Sequence, residues 1–235
     1  DSQAMDGERL RQRLEQVRER IDRARERAGR VDEVGIVAVT KTHPAAVVEA
    51  ALSVGLRCIG ENRVQELEAK VAAVGRDRAE WHLIGHLQRN KVRRAISLFD
   101  LVHSIDSLRL AEELSREAER AEIVVEGLIQ VNTSGEESKY GFPGEEAVEA
   151  AGRIVELPAL RVVGMMTMAP FTEDEGVIRR TFARARALHE RCAREIAGYE
   201  ARHLSMGMSN DFEVAVEEGS TLVRLGTVLF GERNA

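Results

Sequence analysis

Cysteine, lysine and aromatic residues are all scarce in this 235-residue chain. Two cysteines, Cys58 and Cys192, do not make a disulfide framework, so the sequence points to a reducing compartment, the cytoplasm. No apolar run approaches the roughly 20 residues needed to span a bilayer, and no basic start followed by an apolar stretch marks a signal peptide. An excess of positive charge is also missing: the net charge of −6 argues against a general nucleic-acid binder. The chain has no GxGxxG, no GxxxxGK(S/T) and no GxSxG, which removes the dinucleotide fingerprint, the P-loop and the hydrolase nucleophile elbow. What is there is an ordinary globular composition, 43% hydrophobic, which excludes a mostly disordered chain. Residues 1–7 are read as disordered or as an expression remnant, and the folded domain as residues 8–233.

Of the 34 basic residues only four are lysines, Lys41, Lys70, Lys91 and Lys139. Arginine stays protonated, so any chemistry that needs a neutral side-chain amine must use one of these four.

The apolar residues Leu10, Leu14, Val17, Ile21, Ala24 and Ala28 recur at spacings of four and three, which predicts one amphipathic helix ended by Gly29. Its other face carries nine arginines against five acids between Glu8 and Arg30. This reads as a solvated face with pairs such as Glu19–Arg23 and Glu26–Arg30. Then strands and helices alternate. Strands are predicted over 34–41, 56–62, 80–86, 101–106, 123–132, 160–169, 203–209 and 221–231. Helices follow them over 44–55, 64–75, 90–98, 107–120, 144–157, 175–195 and 211–219. Near-continuous apolar runs such as Val34 to Val39 suit strands buried on both faces, as in a parallel sheet. Eight such units at about this length predict a single α/β domain, a (β/α)8 TIM barrel with an extra N-terminal helix.

In such a barrel the active face lies at the C-terminal strand ends. The polar residues there are Lys41, Glu61 with Asn62, His86, Asp106, Asn132, Thr167, Ser205 with Ser209, and Arg224, Gly226 and Thr227. A lysine at the low-dielectric mouth of a barrel is pushed toward its neutral amine, the form that condenses with an aldehyde; a lysine snorkelling out of the strand end is the other reading. The other three lysines read as surface charges. The segments around Ser205 and Gly226 suggest an anion site, because barrels of this class often bind phosphate after strands seven and eight. Helix capping would account for Ser209 and Asn210, but not for Ser205. His82 and His86 have metal-like spacing without an acidic residue or third ligand, and read as a hydrogen-bonded histidine and a loop histidine. Cys58 reads as a small buried hydrophobe.

The segments VAVTKTHP (37–44), GENRVQE (60–66), WHLIGHLQRNK (81–91), SIDS (104–107), VNTSGEESKYGF (131–142), GMMTMAP (164–170) and LSMGMSNDFEVAVEEGSTLVRLGTVLFGER (204–233) together closely resemble the pyridoxal phosphate homeostasis protein family. The resemblance implies a monomeric (β/α)8 barrel similar to the N-terminal domain of alanine racemase. It implies pyridoxal 5′-phosphate (PLP) as cofactor, held by Lys41 as a Schiff base. It implies Asn62 near the cofactor ring, Arg224 facing the pyridine nitrogen, and Ser205, Gly226 and Thr227 around the phosphate. His43 stands where some members have a second lysine, and His86 where the family often has proline. The implied function is intracellular vitamin B6 homeostasis: holding PLP and supplying it to PLP-dependent apo-enzymes, without dedicated catalysis. The alternative is an amino-acid racemase or related PLP enzyme. A racemase needs a second base opposite the lysine. The only tyrosines are Tyr140, in a loop, and Tyr199, in a late helical region.

Overall fold

Where the sequence runs Gly-Ile-Val-Ala-Val the chain is extended and its last three residues are buried, and strands of this kind recur around a ring. The computed structural model describes residues 7–137 and 140–232. Expectations placed on residues 1–6, on Lys139 and on the domain end at residue 233 lie outside the described residues. The barrel strands are β1 (Gly35–Val39), β2 (Cys58–Glu61), β3 (Glu80–Leu83), β4 (Leu101–Ile105), β5 (Val125–Asn132), β6 (Leu160–Met166), β7 (His203–Ser205) and β8 (Leu222–Leu225). Each pairs in parallel with its sequence neighbour, and β8 returns to β1 with Val37 opposite Arg224, closing the ring. A two-residue strand, Phe142–Pro143, pairs in parallel with the far end of β5.

The helices are α1 (Gly7–Arg27), α2 (Ala45–Ser53), α3 (Val64–Val74), α4 (Val92–Ala95), α5 (Leu108–Arg120), α6 (Gly144–Ile154), α7 (Glu175–Glu195), α8 (Phe212–Glu217) and α9 (Thr227–Phe230). Ser107 and Asp174 cap α5 and α7 by accepting from the backbone N–H three residues on. Alternation along each strand divides the apolar residues into two populations. Trp81, Leu83, Ala38 and Leu204 face the helices in the main core. Val37, Leu101, Leu128, Val163, Met166 and Leu222 fill the barrel interior.

The eight strands and the N-terminal helix are where the sequence places them, with two differences of consequence. The expected eighth strand over 221–231 is a strand only to Leu225; after Gly226 the chain turns into α9. A short apolar run such as Thr-Val-Leu-Phe satisfies either structure, and periodicity cannot separate them. The expected seventh strand stops at Ser205 because Gly207 adopts φ +103, and a Cβ there would lie 2.7 Å from Ala215 Cβ. That close approach lets the loop after β7 lie flat on α8.

α1 buries Leu10, Leu14, Val17, Ile21 and Ala24 as its spacing requires. Its arginine face is more than solvated. Arg20 forks onto Glu213 and Arg27 reaches Glu217, both on α8. The Glu19–Arg23 pair is present, whereas Arg30 bonds Asp32 and the carbonyls of Val216 and Ser220. No described helix is long and apolar enough to cross a membrane.

Candidate functional site

Lys41 lies two residues past the end of β1, where the chain must turn from strand to helix. The turn puts Thr42 at φ 65, an uncommon conformation for a residue with a side chain. Two hydrogen bonds hold it: His43 N–H to the Thr40 carbonyl at 3.0 Å and Thr42 N–H to Glu66 Oε2 at 2.9 Å. Behind the turn Thr40 Oγ1 donates to Glu61 Oε1 at 2.5 Å, and Lys70 Nζ donates to the Thr40 carbonyl at 2.5 Å and pairs with Glu61. Lys70, expected at the surface, is therefore buried. It occupies the inner stripe of α3 with Leu67 and Val74, and that spacing was the available signal. Burial raises the Glu61 carboxyl above the usual carboxylate range, with the Lys70 and Thr40 contacts pulling it back.

Lys41 lines a cavity of about 680 Å³ at the C-terminal end of the barrel. Asn62, Arg224, Gly226 and Thr227 line it too, so the structure brings together five of the six residues singled out for the cofactor. Gly85, in the loop after β3, packs so closely that a Cβ would lie 2.3 Å from the Asn62 carbonyl oxygen; this contact fixes the backbone at Asn62.

Arg224 projects inward from β8 and is almost fully buried. Its Nη1 donates to Ser205 Oγ at 2.6 Å and its Nη2 to the Thr167 carbonyl at 3.0 Å. Both partners are neutral. Burial lowers its pKa to about 10, with the Asp211 charge pulling back, so the guanidinium remains charged at neutral pH. Cationic charge is thus fixed in the cavity wall without a carboxylate bonded to it.

Ser205 is the residue that the structure keeps out of the cavity. It lies fully buried one layer below the mouth, and its hydroxyl is shared between Arg224 and His103 Nδ1 at 2.9 Å. Ser209 and Asn210 line the cavity in its place. They do not cap α8: the cap position is Asp211, whose carboxylate takes Met208 N–H at 2.8 Å. Ser209 Oγ accepts from Val228 N–H at 3.2 Å, which ties the loop after β7 to the start of α9.

At the rim His86 Nδ1 lies 2.7 Å from Asp106 Oδ2, and the Tyr140 ring stacks on the imidazole with centroids 4.0 Å apart. His82 takes part in neither contact. That histidine sits inside the barrel below the cavity, its Nδ1 2.8 Å from His103 Nε2. Asn132 stays outside the cavity lining, where it holds its own loop by bonds to Ser134 and the Glu136 carbonyl. Cys58, expected as a buried hydrophobe, is half-buried and donates its thiol hydrogen to Glu80 at 3.2 Å.

The family model for the alanine racemase N-terminal domain matches residues 12–234. The chain is 44% identical over 198 residues to the pyridoxal phosphate homeostasis protein of Aquifex aeolicus, covering 84% of this chain and 86% of that protein. Among solved structures it is similar to PipY of Synechococcus elongatus PCC7942 with PLP bound, at 34% identity and a TM-score of 0.83, covering 94% of this chain and all of that one. It shares only the fold with alanine racemase of Clostridium difficile 630, at 14% identity and a TM-score of 0.78, and spans 57% of that enzyme.

Proposed function

Because this chain belongs to the pyridoxal phosphate homeostasis protein family, on the barrel fold of the alanine racemase N-terminal domain, we propose that it binds PLP in the cavity at the barrel mouth and supplies it to apo-enzymes. The reading takes residues 8–233 as one PLP-binding domain, a cytoplasmic monomer. One observation carries it: the half-buried amine of Lys41 and the buried cation of Arg224 line the same cavity, whose volume suits one small molecule.

When bound, PLP supplies an aldehyde that attaches covalently to a primary amine with loss of water. Lys41 is the amine, held at the strand end by the Thr42 turn. Gly226 and Thr227, together with Ser209 and Asn210, line the cavity and would hold the phosphate ester. Asn62, also in the cavity lining, would pack beside the ring. Arg224 would face the ring nitrogen, with Ser205 as a positioning residue that holds the guanidinium from below. A fixed cation cannot accept the ring proton and disfavours it, so the bound cofactor is a weak electron sink. That property suits storage better than carbanion chemistry.

Tyr140 gives the racemase alternative its one structural footing, since it lines the cavity and stacks on His86. Two assays divide the readings. Loaded protein is mixed with an apo-transaminase in the presence of a trap that consumes free PLP; the carrier reading expects activation despite the trap, and a trap that abolishes it rules out direct handover. Incubation with L-alanine is expected to give no D-isomer. Steady turnover above about 1 per second would make the protein an enzyme.

A further inference from the structure

The opposite end of the barrel carries a cluster that cofactor binding does not use. Alternation along β3 puts Glu80 and His82 on the same inward face. The register of β2 against β3 sets Cys58 directly beside Glu80. Cys58 Sγ lies 3.2 Å from Glu80 Oε2, and His82 Nε2 lies 3.3 Å from Glu80 Oε1. One ligand atom from each of the three residues lies within 4.8 Å of the others. The edges of a tetrahedral zinc site, at bond lengths of about 2.0–2.3 Å, run roughly 3.3–3.8 Å. The two short contacts run to different oxygens of Glu80, and with one atom from each residue the three lie within 4.8 Å, so a side-chain adjustment of about an ångström closes them onto one face of such a site.

His82 supplies a separate observation. It is 1% exposed, and its Nε2 is buried with no aligned hydrogen bond, although the Glu80 carboxylate is close. The nitrogen is aimed into the cluster. Its other ring nitrogen contacts His103 Nε2 at 2.8 Å, the kind of outer partner that fixes the ring of a metal-bound histidine.

We propose that Cys58, Glu80 and His82 form a binding site for one divalent cation of the zinc class, with the fourth position open to water at the barrel floor. One thiolate, one imidazole and one carboxylate favour zinc over the all-oxygen cations magnesium and calcium. Glu80, with 53% of its side chain exposed, is the way in. On binding, the Cys58 S–H bond breaks, the sulfur keeps the electron pair and bonds the metal, and the proton leaves to the buffer. His82 offers the Nε2 lone pair with its ring proton on Nδ1, donating to His103 Nε2. His103 then carries its proton on Nδ1 and donates to Ser205 Oγ. The ion thus ties β2 to β3 and sets one direction for the hydrogen-bonded chain that ends at Arg224.

The test uses tag-free apo-protein stripped with a chelator and titrated with Co²⁺, with Zn²⁺ content measured separately after gel filtration. Expected are one equivalent of either metal per chain and a thiolate-to-cobalt charge-transfer band that Zn²⁺ removes. Cys58→Ser abolishes the band. His82→Gln and Glu80→Gln each weaken Co²⁺ binding by about tenfold or more, and the half-exposed Glu80 position serves if the buried His82 variant does not fold. Cys192→Ser leaves band and affinity unchanged. No band at saturating Co²⁺, a band that survives Cys58→Ser, or a band lost in Cys192→Ser overturns the proposal.

Discussion

Arg224 shows how one side chain can set the chemistry of a pocket. Among the described residues its guanidinium bonds only to a hydroxyl and a carbonyl, with no acid bonded to it. If it faces the PLP ring nitrogen, Arg224→Glu reverses the local charge and favours the protonated ring. The pH at which the spectrum of the bound cofactor titrates should rise by about one unit or more. A pH titration identical to the unmodified protein's would remove Arg224 from that position. Ser205→Ala tests the positioning role at the same scale: it leaves Arg224 Nη1 without its hydroxyl partner, and PLP affinity should fall by about three- to tenfold, a loss of roughly 0.5–1.5 kcal/mol. Titrating each protein with PLP by fluorescence measures it, and an affinity equal to that of the unmodified chain would show that Ser205 does not position the cation.

At the scale of elements, the turn after β1 depends on α3. Lys70 and Glu61 are both buried, so removing one partner leaves an uncompensated charge or polar group. Lys70→Ala should lower unfolding stability by about 3–5 kcal/mol, whereas Lys70→Met with Glu61→Leu should recover most of it. Urea unfolding of the three chains is the check; a double variant as unstable as the single one would show that the pair itself is worth more than its shape. This element also shows what could be read beforehand. The eight strands were legible because most carry short apolar, β-branched-rich runs and are separated by helices with a different periodicity. The lysine at the mouth was legible because it ends the most apolar strand. Lys70 was not, since a charged residue on a helix defaults to the surface unless its place in the Leu67–Val74 stripe is weighed. That Ser209 and not Ser205 reaches the cavity was not legible, because the sequence does not show where β7 stops. Glu80 and Cys58 could not be joined to His82, because their meeting depends on the register between two strands.

For the whole molecule, the interior is lined by histidines that folding keeps neutral. Burial pushes His103 and His203 below the ordinary imidazole value, and His189 down to about 4. In the unfolded chain these groups take up protons below about 6.5. The stability they contribute is therefore present above that pH and is lost as pH falls through it toward the folded values. The urea midpoint should drop between pH 7.5 and pH 5, and His189→Gln should flatten the dependence. An unchanged midpoint over that range would show that these histidines do not resist protonation. The same barrel keeps its two ends distinct: the lysine and arginine at the mouth, the thiol and carboxylate at the floor, with His82 and His103 between them.

The account rests on Lys41 as the attachment point for PLP. The protein is loaded with PLP, reduced with borohydride, digested and mapped by mass spectrometry. The predicted result is one pyridoxyl phosphate group per chain on Lys41, with none on Lys70, Lys91 or Lys139 and none anywhere in Lys41→Ala. An adduct on another lysine, or full loading of Lys41→Ala, would contradict it.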